Sequence, residues 1–215
     1  MLDEPFRARF APLVRPAARR LAGAGVTANH VTVVSFVIAI AGAVVLASGR
    51  PLTGLALWIL SRVGDGLDGV VAREAKSSSP FGGYLDITLD MAAYAGMILG
   101  FATLHPDRMF AWLAVLAGYI VVITTTLALS DSARAANREV STTNRTFQFT
   151  TGLTEAGETT VMYTLWVLFP QHLGWLVWLW VGALAITCLQ RTMLAQKVLG
   201  SRRIEGREGS EGAEE

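Results

Sequence analysis

The chain carries Asp65-Gly66-Leu67-Asp68-Gly69-Val70-Val71-Ala72-Arg73 and, after eight further residues, Gly82-Gly83-Tyr84-Leu85-Asp86-Ile87-Thr88-Leu89-Asp90. Both stretches lie in segments that otherwise read as membrane-spanning helices. An acidic side chain at the bilayer centre costs about 2.5–3.5 kcal/mol on insertion scales, so intramembrane acids mark functional sites. Four carboxylates in so short a window repel one another strongly unless a divalent cation lies between them. The reading is a membrane protein that holds metal ions among its helices and uses them for chemistry.

Composition agrees. Of 215 residues, 52% are hydrophobic and only 16% charged, against roughly 25% charged in soluble domains. The expected fold is all-α and polytopic. Six segments approach the ~20 residues needed to cross hydrocarbon: His30–Gly49, Leu52–Ala72, Phe81–Leu104, Met109–Leu129, Thr151–Leu168 and Leu173–Leu194. The second is the least apolar because it carries Arg62, Asp65 and Asp68. Turn chemistry at Gly49-Arg50-Pro51, Ser77-Ser78-Ser79-Pro80 and His105-Pro106-Asp107 sets the limits of the second and third. Residues 1–28 are expected to form a cytoplasmic juxtamembrane segment, 29–199 the six-helix catalytic domain and 200–215 a disordered tail. Within the first, Leu2–Leu21 suits an amphipathic surface helix, with Phe6, Phe10, Leu13 and Val14 dipping toward the acyl chains and Pro12 and Pro16 breaking its regularity. The lone Cys188 excludes an intramolecular disulfide, and no cleavable signal peptide is visible.

Basic residues set the orientation. Five arginines precede the first span, Arg73 and Lys76 lie between the second and third, Arg134, Arg138 and Arg145 between the fourth and fifth, and Arg202, Arg203 and Arg207 follow the last. The other side has Arg50 and Arg108. Both termini and the serine turn are therefore expected in the cytoplasm, which suits a bacterial inner membrane. A lipid-bilayer setting and no nucleic-acid partner are expected. Trp112, Trp166, Trp175, Trp178 and Trp180 are expected chiefly as interfacial belt residues.

Residues three and four apart share a helix face. Asp65, Asp68, Gly69, Ala72 and Arg73 form one stripe, and Gly82, Asp86 and Asp90 another. Folding the two helices back about the serine turn sets Asp68 opposite Asp86 and Asp65 opposite Asp90. At 1.5 Å per residue the cluster lies roughly 10–15 Å below the cytoplasmic helix ends. All-oxygen ligands call for hard cations, Mg²⁺ first and Mn²⁺ as the alternate. Two such ions balance four carboxylates, and paired metals bridged by carboxylates serve phosphoryl displacement. Arg73, at the pocket mouth, is placed to clamp a phosphate.

Those residues match, without a gap, the signature D-x2-D-G-x2-A-R-x8-G-x3-D-x3-D, and the chain resembles the CDP-alcohol phosphatidyltransferases. The resemblance implies transfer of a phosphatidyl or other substituted phosphate group from a CDP-alcohol, CDP-diacylglycerol foremost, to an alcohol acceptor with release of CMP. It implies that Asp65 and Asp86 touch both metals, Asp68 completes the first site and Asp90 the second, Asp90 also serving as general base. Gly66, Gly69, Ala72, Arg73 and Gly82 would line the CDP-alcohol, Ser79 would reach a phosphate, and Ala28-Asn29-His30-Val31 resembles the family's other nucleotide-contacting stretch. A homodimer is expected on the same ground.

The acceptor is less legible. Arg134, Glu155, Glu158 and Arg191 are the candidate contacts, the two glutamates standing three apart on an apolar helix; capping and ion pairing account for them equally well. In the branch that uses inositol phosphate the comparable stretch carries arginines, where this chain has Ala156 and Thr159. A neutral or zwitterionic acceptor such as inositol, serine, glycerol or a glycolipid fits better, with glycerol phosphate still open because Arg134, Arg138 and Arg191 are available. Two rivals remain open. A membrane prenyltransferase also binds diphosphate through aspartates, but resembles a larger bundle with its acidic motifs far apart. A divalent-cation transporter should show acids on symmetry-related helices, and no internal repeat is visible.

Overall fold

The computed structural model describes residues 14–75, 79–136, 154 and 156–200. The tail at 201–215, most of the leader helix expected over Leu2–Leu21, Ser77, Ser78 and Glu155 lie outside the described residues. The rest is helical, with no strand among the described residues. A helix α1 covers 14–23. It is followed by α2 (Ala28–Ala47), α3 (Pro51–Glu74), α4 (Pro80–Leu104), α5 (Met109–Ala135), α6 (Ala156–Leu168) and α7 (Leu173–Gly200).

Local chemistry sets the boundaries. Thr27 caps α2, its hydroxyl accepting from the His30 N–H at 3.3 Å while His30 Nδ1 accepts from the Thr27 N–H at 3.4 Å. This reciprocal capping box satisfies two donors that a helix start leaves open. Gly49, at φ +85°, turns the chain out of α2 through a left-handed conformation that a side chain would strain, and Pro51 then opens α3. Ser79 caps α4 by accepting from the Gly82 N–H at 3.0 Å, with Pro80 at the first helical position. Single 3-10 turns at Pro106–Arg108 and Pro170–His172 lead into α5 and α7.

Among the described residues, four helical stretches are long and apolar enough to cross a membrane: Ala28–Ala47, Pro80–Leu104, Pro106–Ala135 and Pro170–Gly200. The other two expected spans, Leu52–Ala72 and Thr151–Leu168, overlap α3 and α6, neither of which is a spanning helix by length and composition, and residues 151–153 lie outside the described residues. α3 has 24 residues but is diluted by Arg62, Asp65, Asp68, Arg73 and Glu74, and α6 has 13 residues. Exposed Val33, Val37 and Val44 on α2, and Leu113, Ile120 and Leu127 on α5, give the bundle an apolar outside suited to hydrocarbon.

α2 is the centre of the first half. It packs against both α3 and α4, which make their main contacts with α2 rather than with each other. The hairpin expected from the sequence is therefore propped open by a third helix. Close approach makes this possible: a Cβ on Gly54 would lie 2.7 Å from the Gly42 carbonyl oxygen, and one on Gly100 would lie 2.8 Å from that of Ala43. Thus α3 grips one face of α2 and α4 another, backbone against backbone. α5 packs on α7, and α6 touches α3 and α7.

An aromatic core joins the halves. Trp58 lies 5.4 Å from Tyr94 and 5.2 Å from Tyr163, and Phe101 meets Trp112 and Trp166 at 5.5 and 5.2 Å. Here the belt expectation needs correction. Trp112, Trp166 and Trp180 are buried in this core, and only Trp175 and Trp178 are exposed. Each ring pair in such a cluster adds about 0.5–1.5 kcal/mol beyond the area it buries. At the other end, Ala18 of α1 is buried against Val70 and Val71 of α3, while Arg15 and Arg19 pair with Glu74 at 3.3 and 3.1 Å.

Candidate active site

Three of the four aspartates converge. Asp65 and Asp68 on α3 and Asp86 on α4 each offer a carboxylate oxygen, all within 4.8 Å of one another. Because α2 holds α3 and α4 apart, their side chains meet across a gap instead of being crushed between touching helices. Asp68 is 9% exposed and tied to α2, Thr32 Oγ1 donating to Asp68 Oδ2 at 2.6 Å. The bond fixes the carboxylate's rotamer and directs it at the cluster.

Beside the cluster lies a cavity of about 250 Å³, lined by Ala28, Asn29, Thr32, Asp68, Gly69, Ala72, Ser79, Gly82, Gly83 and Asp86. Three helices contribute, with α2 as the floor. Most of the motif positions expected around the donor are in this lining. Its glycines keep it open: a Cβ on Gly82 would lie 3.1 Å from Asn29 Oδ1 and 3.3 Å from Ser79 Oγ. Arg73 is exposed near Gly69, where a Cβ would lie 3.5 Å from its Nη1. Gly66 is also exposed, outside the lining. His30 turns back to cap its own helix, and Val31 packs with Val70, Val71 and Ala18. Neither lines the cavity.

Asp90 stands apart from the other three. Its Oδ1 accepts from Arg62 Nη1, and the same guanidinium lies 3.6 Å from Asp65 Oδ2. Asp65 and Asp90 are thus opposed, as equal depth predicts, with a cation between them. Neither Arg62 nor Thr32 was singled out as a site residue from the sequence. Arg62 had a signal, a charge in mid-span facing the same stripe. Thr32 had almost none, since a threonine in a helix commonly bonds its own backbone; here Ala28 O lies 3.1 Å from Thr32 Oγ1 and competes for the one proton that the shorter contact gives to Asp68.

The proposed acceptor contacts are dispersed. Arg134 is exposed at the end of α5. Glu158 lies half-buried in the first turn of α6, where a helix N-terminus favours an acid. Arg191 Nη1 donates to Val122 O at 2.9 Å and to Thr126 Oγ1, which ties α7 to α5. Thr159 is 3% exposed.

A carboxylate triad of this kind beside a glycine-lined cleft is built for a divalent cation and an anionic ligand. The oxygen-only donor set, its separation and the Thr32 bond to Asp68 fit a hard cation. A model of the family described as CDP-alcohol phosphatidyltransferase matches residues 25–189, and the chain belongs to that family. Among curated relatives, the inner membrane protein YnjF of Escherichia coli is 32% identical over 210 residues, covering 89% of this chain and 100% of the relative. The phosphatidylinositol phosphate synthase of Mycobacterium tuberculosis is 30% identical over 194 residues, 86% of each chain. A crystal structure of the M. tuberculosis synthase with CDP-DAG bound matches at TM-score 0.64 and 25% identity, over 86% of this chain and 94% of that one. Another, in complex with manganese and citrate, matches at TM-score 0.69 and 23% identity over 85% of this chain and 88% of that one, which shows a common fold.

Proposed function

We propose that the protein transfers a phosphatidyl group from CDP-diacylglycerol to an alcohol acceptor and releases CMP. The reaction class follows from the family. The observation that carries the reading for this chain is the convergence of Asp65, Asp68 and Asp86 within 4.8 Å beside the cleft over α2. Two Mg²⁺ ions, or Mn²⁺ in their place, would neutralise the diphosphate and the charge on departing CMP. Asp65 and Asp86 would ligate both, Asp68 the first and Asp90 the second.

The chain's own residues do the rest. Thr32 orients Asp68. Ala28, Asn29, Gly69, Ala72, Ser79 and Gly82 receive the cytidine diphosphate on nearly bare backbone, with Gly66, His30 and Val31 at its margin and Arg73 reaching a phosphate from outside. Asp90 accepts the proton of the acceptor hydroxyl within hydrogen-bond reach. As the acceptor oxygen bonds to the lipid-bearing phosphorus, the bond from that phosphorus to CMP breaks, and CMP leaves with the electron pair.

The acceptor reading favours a neutral or zwitterionic alcohol over a phosphorylated one. Thr159 is buried and Arg191 is engaged by α5, so neither supports an exposed arginine pair for a second phosphate. Glu158, with Glu155 and Arg134, remains the candidate acceptor contact. The same reading takes α2–α7 as six spans in residues 29–199, α1 and the rest of residues 1–28 as a juxtamembrane segment and 200–215 as a tail. Both termini and the cleft face the cytoplasm of a bacterial inner membrane, and the chain acts as a homodimer.

CMP release by purified protein, given CDP-diacylglycerol, Mg²⁺ and separate acceptors (inositol, inositol phosphate, serine, glycerol phosphate, or none), tests this. Stimulation by one acceptor is the expected result. No release and no Mg²⁺-dependent CDP-diacylglycerol binding would overturn the donor assignment and return the transporter reading to contention.

A further inference from the structure

Arg62 is the group for which the proposed transfer gives no reason. It lies three residues before Asp65, on the side away from the Arg73 end of α3, so the topology rule that explains terminal arginines does not apply to it. A cation at such depth is costly and needs a partner. Arg62 has four. Its side chain is 11% exposed, its Nη1 bonds Asp90 and lies 3.6 Å from Asp65, and its guanidinium carbon sits 4.5 Å from the Trp58 ring and 5.5 Å from the Tyr94 ring. Trp58 is fully buried and Tyr94 is 6% exposed, so these rings cannot move aside easily. Their negative faces hold a planar cation whichever counterion it has.

The consequence lies in how the carboxylates are divided. Asp65, Asp68 and Asp86 are drawn together, whereas Asp90 is drawn to the guanidinium. Asp65 belongs to both groups. Of the four motif acids, the one assigned to complete the second metal position is therefore already neutralised by a resident cation. A first divalent ion meets three converging carboxylates. A second meets the charge of Arg62 and must compete for Asp90.

We infer that Arg62 is a positioning residue that withholds Asp90 from the metal cluster, so that the two divalent ions bind in unequal steps and the second step is governed by release of Asp90 from the guanidinium. The inference rests on the metal-dependent transfer proposed above. It differs from a purely structural role for Arg62, which would alter stability and leave the separation of the two binding steps unchanged.

Mn²⁺ titration of the full-length protein in detergent, read by the EPR signal of free Mn²⁺, tests this without reference to turnover. The wild type should bind one ion tightly and a second weakly. Arg62→Met keeps the length of the stem and removes the charge, and should tighten the second step by roughly 10–100-fold, the range over which groups that hold a metal ligand act on affinity. Arg62→Lys keeps a cation but not the planar fork and should fall between the two. In an Asp90→Asn background the Arg62→Met change should tighten the second step much less than it does in the wild type, leaving only the direct effect of the removed charge. A second step no tighter in Arg62→Met, with helicity and elution volume as in the wild type, overturns the inference and leaves the transfer reading standing. If Arg62→Met does not fold, Arg62→Lys decides, and a second step equal to the wild type overturns the inference. Absence of any Mn²⁺ uptake by the wild type overturns the inference and the metal reading together.

Discussion

Thr32 Oγ1 and Asp68 Oδ2 are 2.6 Å apart, a buried hydrogen bond that ties the floor helix to the helix bearing half of the carboxylates. Thr32→Val preserves shape and deletes the donor, leaving Asp68 without this bond. Groups that orient metal ligands are worth about 10–100-fold in metal affinity. Thr32→Val should weaken Mn²⁺ binding by that order, and Thr32→Ser should restore it. Equal affinities across the three proteins would show that Thr32 merely fills space.

Asp90 and Asp65 should separate binding from chemistry. Asp90→Asn is expected to retain CDP-alcohol binding while abolishing transfer, because the acceptor proton loses its destination. Asp65→Asn should impair both, because it removes an oxygen from the converging triad. Turnover and equilibrium binding of labelled CDP-diacylglycerol, measured on the same preparations, check this. Retained turnover in Asp90→Asn sinks the base assignment.

Gly82 should matter for the donor and not for stability. A Cβ there would stand 3.1 Å from Asn29 Oδ1, within the cleft and at its edge. Gly82→Ala is expected to raise KM for the CDP-alcohol severalfold with little change in Tm. A large fall in Tm instead would place Gly82 among the packing positions.

Gly54 should behave in the opposite way. Its added Cβ would lie 2.7 Å from both the Gly42 carbonyl oxygen and Leu46 Cβ, contacts that no rotamer relieves. Overpacking of this kind costs about 1–3 kcal/mol. Gly54→Val should lower Tm in detergent by several degrees and reduce activity indirectly, by prising α3 from α2. An unchanged Tm would mean that the α2–α3 contact contributes little to stability.

Removal of metal should uncouple nucleotide from stability. CMP or CDP-diacylglycerol is expected to raise Tm in the presence of Mg²⁺ or Mn²⁺ and to have no effect in EDTA, since the carboxylate cluster alone repels the phosphates of either. A thermal shift that persists in EDTA would contradict the metal-mediated mode of binding.

Much of this was legible in one dimension. Four of the expected spans recur as helices long and apolar enough to cross a membrane, because a continuous apolar run needs no partner to be recognised. The breaks at Gly49-Arg50-Pro51 and Ser79-Pro80 are local chemistry. The equal depth of Asp68 and Asp86 follows from helical rise and the position of the turn. What failed was inference about neighbours. The tryptophans at 112, 166 and 180 looked like belt residues because a ring's surroundings are not written in its own segment.

The sequence by itself determined the composition of the site: the acids, their faces, their depth, and the family to which they belong. Only the tertiary structure decided their arrangement. Glycines in α2, α3 and α4 let backbones meet and so put α2 between the two motif helices, which opens the cleft and brings Thr32 to Asp68. The same packing sets Trp58 and Tyr94 around Arg62 and delivers Asp90 to it. Spacing along a helix can place a charge on a face, but which opposite charge it meets depends on how three helices pack together.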